Sequence, residues 1–132
     1  MKSKILLISL IMIQSVMAER TCEEYILDEW TDSRYTNKTI SGDNFVTDHK
    51  IGLMCKQCLE GFSGVDCAND SATTHTWKKA QVLAETNNTI GFAGFSDWWL
   101  TNQKELRTYA VRNCYIPSIN ENVFPNTPSD WF

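Results

Sequence analysis

The first eighteen residues decide how the rest of the chain must be read. Met1–Ala18 opens with Lys2 and Lys4, continues into an apolar run over Ile5–Ile13 broken by Ser9, and closes on Val16-Met17-Ala18. A positive start, a short apolar stretch and tolerated residues at the −3 and −1 positions form the pattern of an export signal cleaved after Ala18. The run is too short to cross a hydrocarbon core of about 30 Å, which takes roughly 20 residues. No stable membrane span is therefore expected after cleavage. Cys22 follows Glu19-Arg20-Thr21 and lacks the small apolar residues of a lipoprotein site.

Export sets the chemistry of the five cysteines. In an oxidising compartment they are disulfide partners by default, where in the cytosol they would be metal ligands or redox pairs. Cleavage leaves 114 of the 132 residues, and the loss of Lys2 and Lys4 moves the net charge from −4 to −6. A chain of that size supports one domain with one core and little margin. The acidic balance, 12 basic against 16 acidic residues without a basic block, argues against a nucleic-acid partner.

Along the mature chain, Glu19–Thr36 is polar and acidic and reads as an N-terminal arm, with residues 19–32 outside the domain proper. Phe45-Val46-Thr47 and Ile51-Gly52-Leu53-Met54 flank Asp48-His49-Lys50, which predicts a β-hairpin with a three-residue connection. Trp77, Ala80, Leu83 and Ala84 fall on one helical face, with Thr76 as N-cap and Asn87-Asn88 as the end. Gly91–Phe95 reads as a flexible small-residue connection. Asn102 and Glu105 have the spacing of a capping box, opening a second helix whose buried face is Leu106, Tyr109 and Ala110. Pro117, Pro125 and Pro128 turn the remainder into extended segments and turns.

Several strings invite a chemical reading. Cys55-Lys56-Gln57-Cys58 has the spacing of thiol–disulfide oxidoreductases, but it follows a strand and runs into a Gly-rich loop, without the helix N-terminus that activates such a thiol. No second Cys/His pair stands at zinc-ligand spacing, so no metal is expected. Cys58–Cys67 matches the last loop of an EGF-like module, yet too few cysteines lie upstream for one. A structural loop closed between Cys58 and Cys67 is the better reading. His49 and His75 sit near no nucleophile motif and read as turn or loop residues. Catalytic and cofactor-binding residues are expected to be absent. In Ser96-Asp97-Trp98-Trp99-Leu100 the two indoles point to opposite sides of an extended segment. One can enter the core while the other stays at the surface as a platform for sugars or aromatic partners. That makes Trp98 and Trp99 the ligand-binding candidates. The competing reading packs both as structural aromatics.

In order, Ser33-Arg34-Tyr35-Thr36, Phe45-Val46-Thr47-Asp48, Ile51-Gly52-Leu53-Met54, Thr76-Trp77-x-x-Ala80, Gly94-Phe95-Ser96-Asp97-Trp98-x-Leu100, Lys104-Glu105-Leu106 and Pro117-Ser118-Ile119-Asn120 with Phe124–Ser129 form a series. Together they resemble the Legionella collagen-like protein C-terminal (Lcl_C) family, over residues 33–132. The resemblance implies a bacterial secreted, periplasmic or cell-envelope protein of α+β class. Its fold would be an incomplete C-type-lectin-like one with two helices and a short antiparallel hairpin or sheet. It implies no enzyme activity and a surface-binding or adhesion role, with glycans or another envelope protein as partner. Counterparts of Cys22, Cys58, Cys67 and Cys114 recur in similar members, which implies the bridges Cys58–Cys67 and Cys22–Cys114 and leaves Cys55 odd.

Three departures from the family pattern stand out. Cys55 occupies a position where the family usually has Trp. Trp99-Leu100-Thr101 replaces the usual Arg-Leu-Pro. The sequence stops at Trp131-Phe132, where members continue through a Trp-Ser-Ser string into further strands, so the C-terminal strands are expected to be missing. The Glu-Pro-Asn or Gln-Pro-Asp string of calcium lectins is absent, so calcium-dependent sugar binding does not transfer. Two alternatives stay open at this point, an envelope thiol–disulfide protein using Cys55 and Cys58, and a non-functional truncated product.

Overall fold

The computed structural model describes residues 20–129. The expected export leader, its expected cleavage site at Ala18 and the terminal Trp131-Phe132 lie outside the described residues. In chain order the elements are β1 (Thr21–Cys22), a 3-10 turn (Asp32–Arg34), β2 (Tyr35–Ile40), β3 (Asp43–Asp48), β4 (Leu53–Lys56), β5 (Phe62–Ser63), β6 (Asn69–Asp70), α1 (Trp77–Ile90), a second 3-10 turn (Phe92–Gly94), α2 (Gln103–Tyr109) and β7 (Cys114–Tyr115). Two helices and small antiparallel sheets make an α+β fold. The central sheet has the order β2-β3-β4, while β1 pairs with β7 and β5 with β6.

The central sheet begins earlier than the sequence pattern suggests. Tyr35–Ile40 forms a full strand against β3, with Tyr35 opposite Asp48 and Ile40 opposite Asp43. The pair is closed by Ser41-Gly42, both at positive φ (53° and 88°), the two-residue geometry whose twist matches that of the strands. Most of β2 is polar and exposed, which hides it from a search for apolar alternation. The expected hairpin between β3 and β4 is present, but its connection runs over four residues, His49–Gly52, and not three. Gly52, at φ 70°, turns the chain where Ile51-Gly52 was expected to begin a strand.

Alternation along the three strands sends side chains into two layers. On one face Tyr35, Val46 and Cys55 meet Tyr109, Ile119, Val123 and Phe124 from α2 and the C-terminal segment. Phe124 stands edge-on to both Tyr35 and Tyr109, with ring centroids 5.9 and 5.6 Å away. On the other face Phe45 and Met54 meet Phe92, Ala93, Phe95 and Trp98. The segment Gly91–Phe95, expected to be a flexible connection, is a 3-10 turn instead. It is held because Phe92 and Ala93 are buried and the Ala93 N–H donates to Asp43 at 2.8 Å.

The helix starts follow the sequence closely. Thr76 caps α1 by accepting from the Lys79 N–H, and Asn102 and Glu105 form the reciprocal capping box of α2. The end of α1 differs, since it continues past Asn87-Asn88 to Ile90 and stops at Gly91 in the left-handed region. The two asparagine side chains have other partners. Asn87 donates to the Leu83 carbonyl, and Asn88 exchanges two hydrogen bonds with the Trp98 backbone, at 2.6 and 2.9 Å. The expected faces are also less buried than their spacing implies. Trp77 is 68% exposed and Leu106 43%, so that only Tyr109 of α2 is fully in the core.

The N-terminal arm is tied to the rest of the molecule. Cys22 is bonded to Cys114, Trp30 is buried against Val111 and Cys114, and the Trp30 indole N–H donates to the Thr108 carbonyl at 2.8 Å. A second bridge joins Cys58 to Cys67. In the chain-entropy view, the 92-residue separation is worth about 4–5 kcal/mol and the 9-residue one about 2–3 kcal/mol. At the centre, Arg34 and Asp48 are both buried and meet as a two-pronged pair, Nε to Oδ1 at 2.9 Å and Nη2 to Oδ2 at 2.5 Å. Arg34 Nη2 also donates to the Thr108 carbonyl, and Asp48 Oδ1 accepts from the Lys50 N–H. The hydrogen bond to Asp48 raises the Arg34 pKa above its ordinary value against the opposing effect of burial.

Removing one member of this pair leaves the other charge buried alone. Arg34→Met is expected to lower the free energy of unfolding by about 3–5 kcal/mol in a urea titration, while Arg34→Met with Asp48→Leu recovers most of that loss.

Candidate functional site

A cleft of about 380 Å³ opens along β4. Its wall includes Leu53, Met54, Cys55 and Lys56 in unbroken succession, followed by Gln57 and Cys58. Neighbouring strand residues point to opposite faces, so a cavity lined by all of them runs along the edge of the strand and not over one face. The other walls agree. Tyr109, Ile119 and Phe124 belong to the layer on one side of the sheet, and Trp98 to the layer on the other. From α1, Ala80, Leu83 and Ala84 close the far side. The face expected to bury itself in the core thus lines the cleft, where Ala80, Leu83 and Ala84 remain half-exposed.

Polar groups gather at the mouth. Trp99 is 55% exposed, and its indole N–H donates to Glu105 Oε2 at 3.2 Å. The same oxygen accepts from the Asn102 N–H at 2.9 Å and the Thr101 hydroxyl at 3.3 Å. The Asn102 backbone bond, with Trp99 and Thr101 adding to it, holds the Glu105 carboxyl below its usual range. Glu105 Oε2 is thereby a fixed acceptor of three hydrogen bonds. Lys56 Nζ pairs with Glu60 at 2.8 Å and lies 4.6 Å from the centroid of the Phe92 ring.

The two tryptophans divide as their alternation requires. Trp98 is half-buried against the Phe45–Phe92 layer, with its indole N–H on the Phe92 carbonyl at 3.0 Å and its ring 5.3 Å from Phe92. Trp99 faces outward. His49 lies in the turn after β3 against the Thr36 hydroxyl, and His75 precedes α1 against Thr73. No group of three or more His, Cys, Asp or Glu that could hold a metal occurs among the described residues.

Cys55 and Cys58, three positions apart on one strand and the loop after it, do not act as a pair. Cys58 is committed to Cys67, and Cys55 is a free thiol on the core face of β4 beside Tyr109. Burial pushes the Cys55 thiol up to about 11 from its ordinary 9.0, with the Tyr109 hydrogen bond opposing only part of the shift. Reactive cysteines need the opposite shift. Burial likewise raises the Tyr35 hydroxyl to about 12 and that of Tyr109 further.

Residues 44–132 match the model of the Lcl C-terminal domain family. The chain belongs to this family. No curated protein and no solved structure matches it significantly. The matched span of the Lcl C-terminal domain takes in all of β3 but Asp43, β4, both helices and every wall of the cleft, whereas the Arg34 half of the central ion pair lies upstream of it.

The raised thiol has two measurable consequences. Iodoacetamide at pH 8 is expected to label Cys55 in the folded protein more than about tenfold more slowly than in urea, since two pKa units cut the thiolate fraction about a hundredfold. The folded chain also retains protons that the unfolded chain releases, from Cys55 above pH 9 and from Tyr35 above pH 10. Stability is therefore expected to be full below pH 9 and to fall as pH rises towards 12. Urea midpoints taken across that interval check the sign.

Proposed function

We propose that this Lcl C-terminal domain is an exported, non-catalytic surface-binding module that engages glycans through the Trp99 side of the cleft mouth. The observation that carries the reading is the fixed indole. Trp99 is exposed, yet its N–H is held by Glu105, which is itself held by the Asn102 cap. A ring already immobilised loses little freedom when a sugar face stacks on it, so its apolar surface is available without an ordering cost. The proposal takes the α+β frame as an incomplete C-type-lectin-like domain, and Trp99-Leu100-Thr101, where relatives have Arg-Leu-Pro, as a local change of ligand preference.

Support for export comes from the two disulfides, which persist in an oxidising compartment, and from the leader pattern of the sequence. Among the described residues no helix is long and apolar enough to cross a membrane. The setting we infer is secreted, periplasmic or cell-envelope. The absence of an activated nucleophile at Cys55 favours binding over thiol chemistry.

The test is a glycan array probed with the mature chain. Retention of at least one glycan class that survives chelation of calcium is expected. Trp99→Ala should weaken it about tenfold or more, with the thermal midpoint unchanged. Equal binding by Trp99→Ala, or no retained glycan, contradicts the reading.

A further inference from the structure

The central sheet stops at β4, but the layers on either side of it do not. Tyr109, Ile119 and Phe124 on one side and Trp98 on the other continue past the strand to form the walls of the cleft, with Leu83 and Ala84 of α1 beyond. The edge between them offers unpaired backbone groups. The Gln57 N–H donates to the Asn44 carbonyl, which sets the alternation along the β3–β4 pair. Cys55 and Leu53 then bond inward to β3, and Met54 and Lys56 turn their N–H and C=O groups outward into the cleft. None of these outward groups has a backbone partner among the described residues.

We propose that the cleft accepts an extended, apolar segment of another polypeptide as a fourth strand on the β4 edge. A strand placed there lies about 4.8 Å from β4 and sends alternate side chains to the Tyr109–Phe124 wall and to the Trp98–Leu83 wall. Both walls are apolar, so both parities of the incoming segment must be apolar, the near-continuous pattern of a strand buried on two faces. Four residues of β4 set the length of the pairing, about 13 Å at roughly 3.3 Å per residue. The net charge, −6 without Lys2 and Lys4, favours a segment with basic flanks. An aromatic or acyl ligand fills the volume but leaves the Met54 and Lys56 backbone groups unsatisfied, which a strand does not. This inference stands apart from glycan binding, since it uses the interior of the cleft and not the outer face of Trp99.

The probe is a capped peptide of alternating valine and leucine flanked by lysines, titrated into the mature chain and followed by tryptophan fluorescence. Saturable binding is expected, with backbone amide shifts at Met54 and Lys56. The same peptide N-methylated at alternate amides, on the side that faces β4, should bind about tenfold more weakly or less. Lys56→Pro removes one outward N–H at an edge where proline is tolerated, and should weaken the unmethylated peptide to a similar degree. If that variant fails to fold, the methylated peptide still decides. Absence of saturable binding, or equal binding by both peptides, overturns the proposal. So does a dimer of the unliganded chain that Lys56→Pro dissociates, because a second copy is then the occupant.

Discussion

The ion pair between Arg34 and Asp48 is where the parts of this chain are joined. Arg34 comes from the turn before β2, Asp48 ends β3, and the guanidinium reaches on to the Thr108 carbonyl near the end of α2. Trp30 donates to that same carbonyl, and Asn120 donates to the Trp30 carbonyl at 2.7 Å. Through these bonds the N-terminal segment, the sheet, the second helix and the C-terminal turns share one polar centre. Buried pairs of this kind add little net stability over an apolar replacement, because desolvation offsets most of the attraction. Their value here is positional. The Thr108 carbonyl of α2 accepts from both Arg34 and Trp30, which ties the end of that helix to the pair.

That anchored side contrasts with the opposite edge of the sheet. The β2 edge is polar along Thr36–Thr39 and carries Lys38, which keeps it from pairing with other chains. On the β4 edge the one lysine, Lys56, is turned onto Glu60 and the Phe92 ring, apolar walls flank the strand, and the outward groups of Met54 and Lys56 have no backbone partner among the described residues. α1 shows the same asymmetry, meeting the rest of the molecule chiefly through the two Asn88–Trp98 hydrogen bonds while its apolar face lines the cleft. The molecule therefore holds one finished layer beside one prepared to receive a further element. The fixed Trp99 indole lies on the rim between them.

Features set by neighbouring residues were legible in the sequence. Thr76, Asn102 and Glu105 announced both helix starts, while adjacency split Trp98 from Trp99 without telling which of the two is exposed. Features that depend on distant partners were not. β2 was missed because its exposed residues lack apolar alternation, although Ser41-Gly42 is a hairpin signal. Asn87-Asn88 read as a helix end because their side chains can leave a helix, but Leu83 and Trp98 supply partners that let it continue. The Arg34–Asp48 pair sat unnoticed across two family strings. The cleft was illegible in principle, since it is defined by where the sheet ends relative to its two covering layers.

The most direct test of this account is residue-resolved amide hydrogen exchange along β4. Cys55 is expected to exchange at the rate of global unfolding, as Val46 does opposite it. Met54 and Lys56, on either side of Cys55 in sequence, should exchange orders of magnitude faster because their amides face the open cleft. Protection of Met54 and Lys56 equal to that of Cys55 would mean that the edge is already paired, and would contradict the open fourth-strand position on which the account rests.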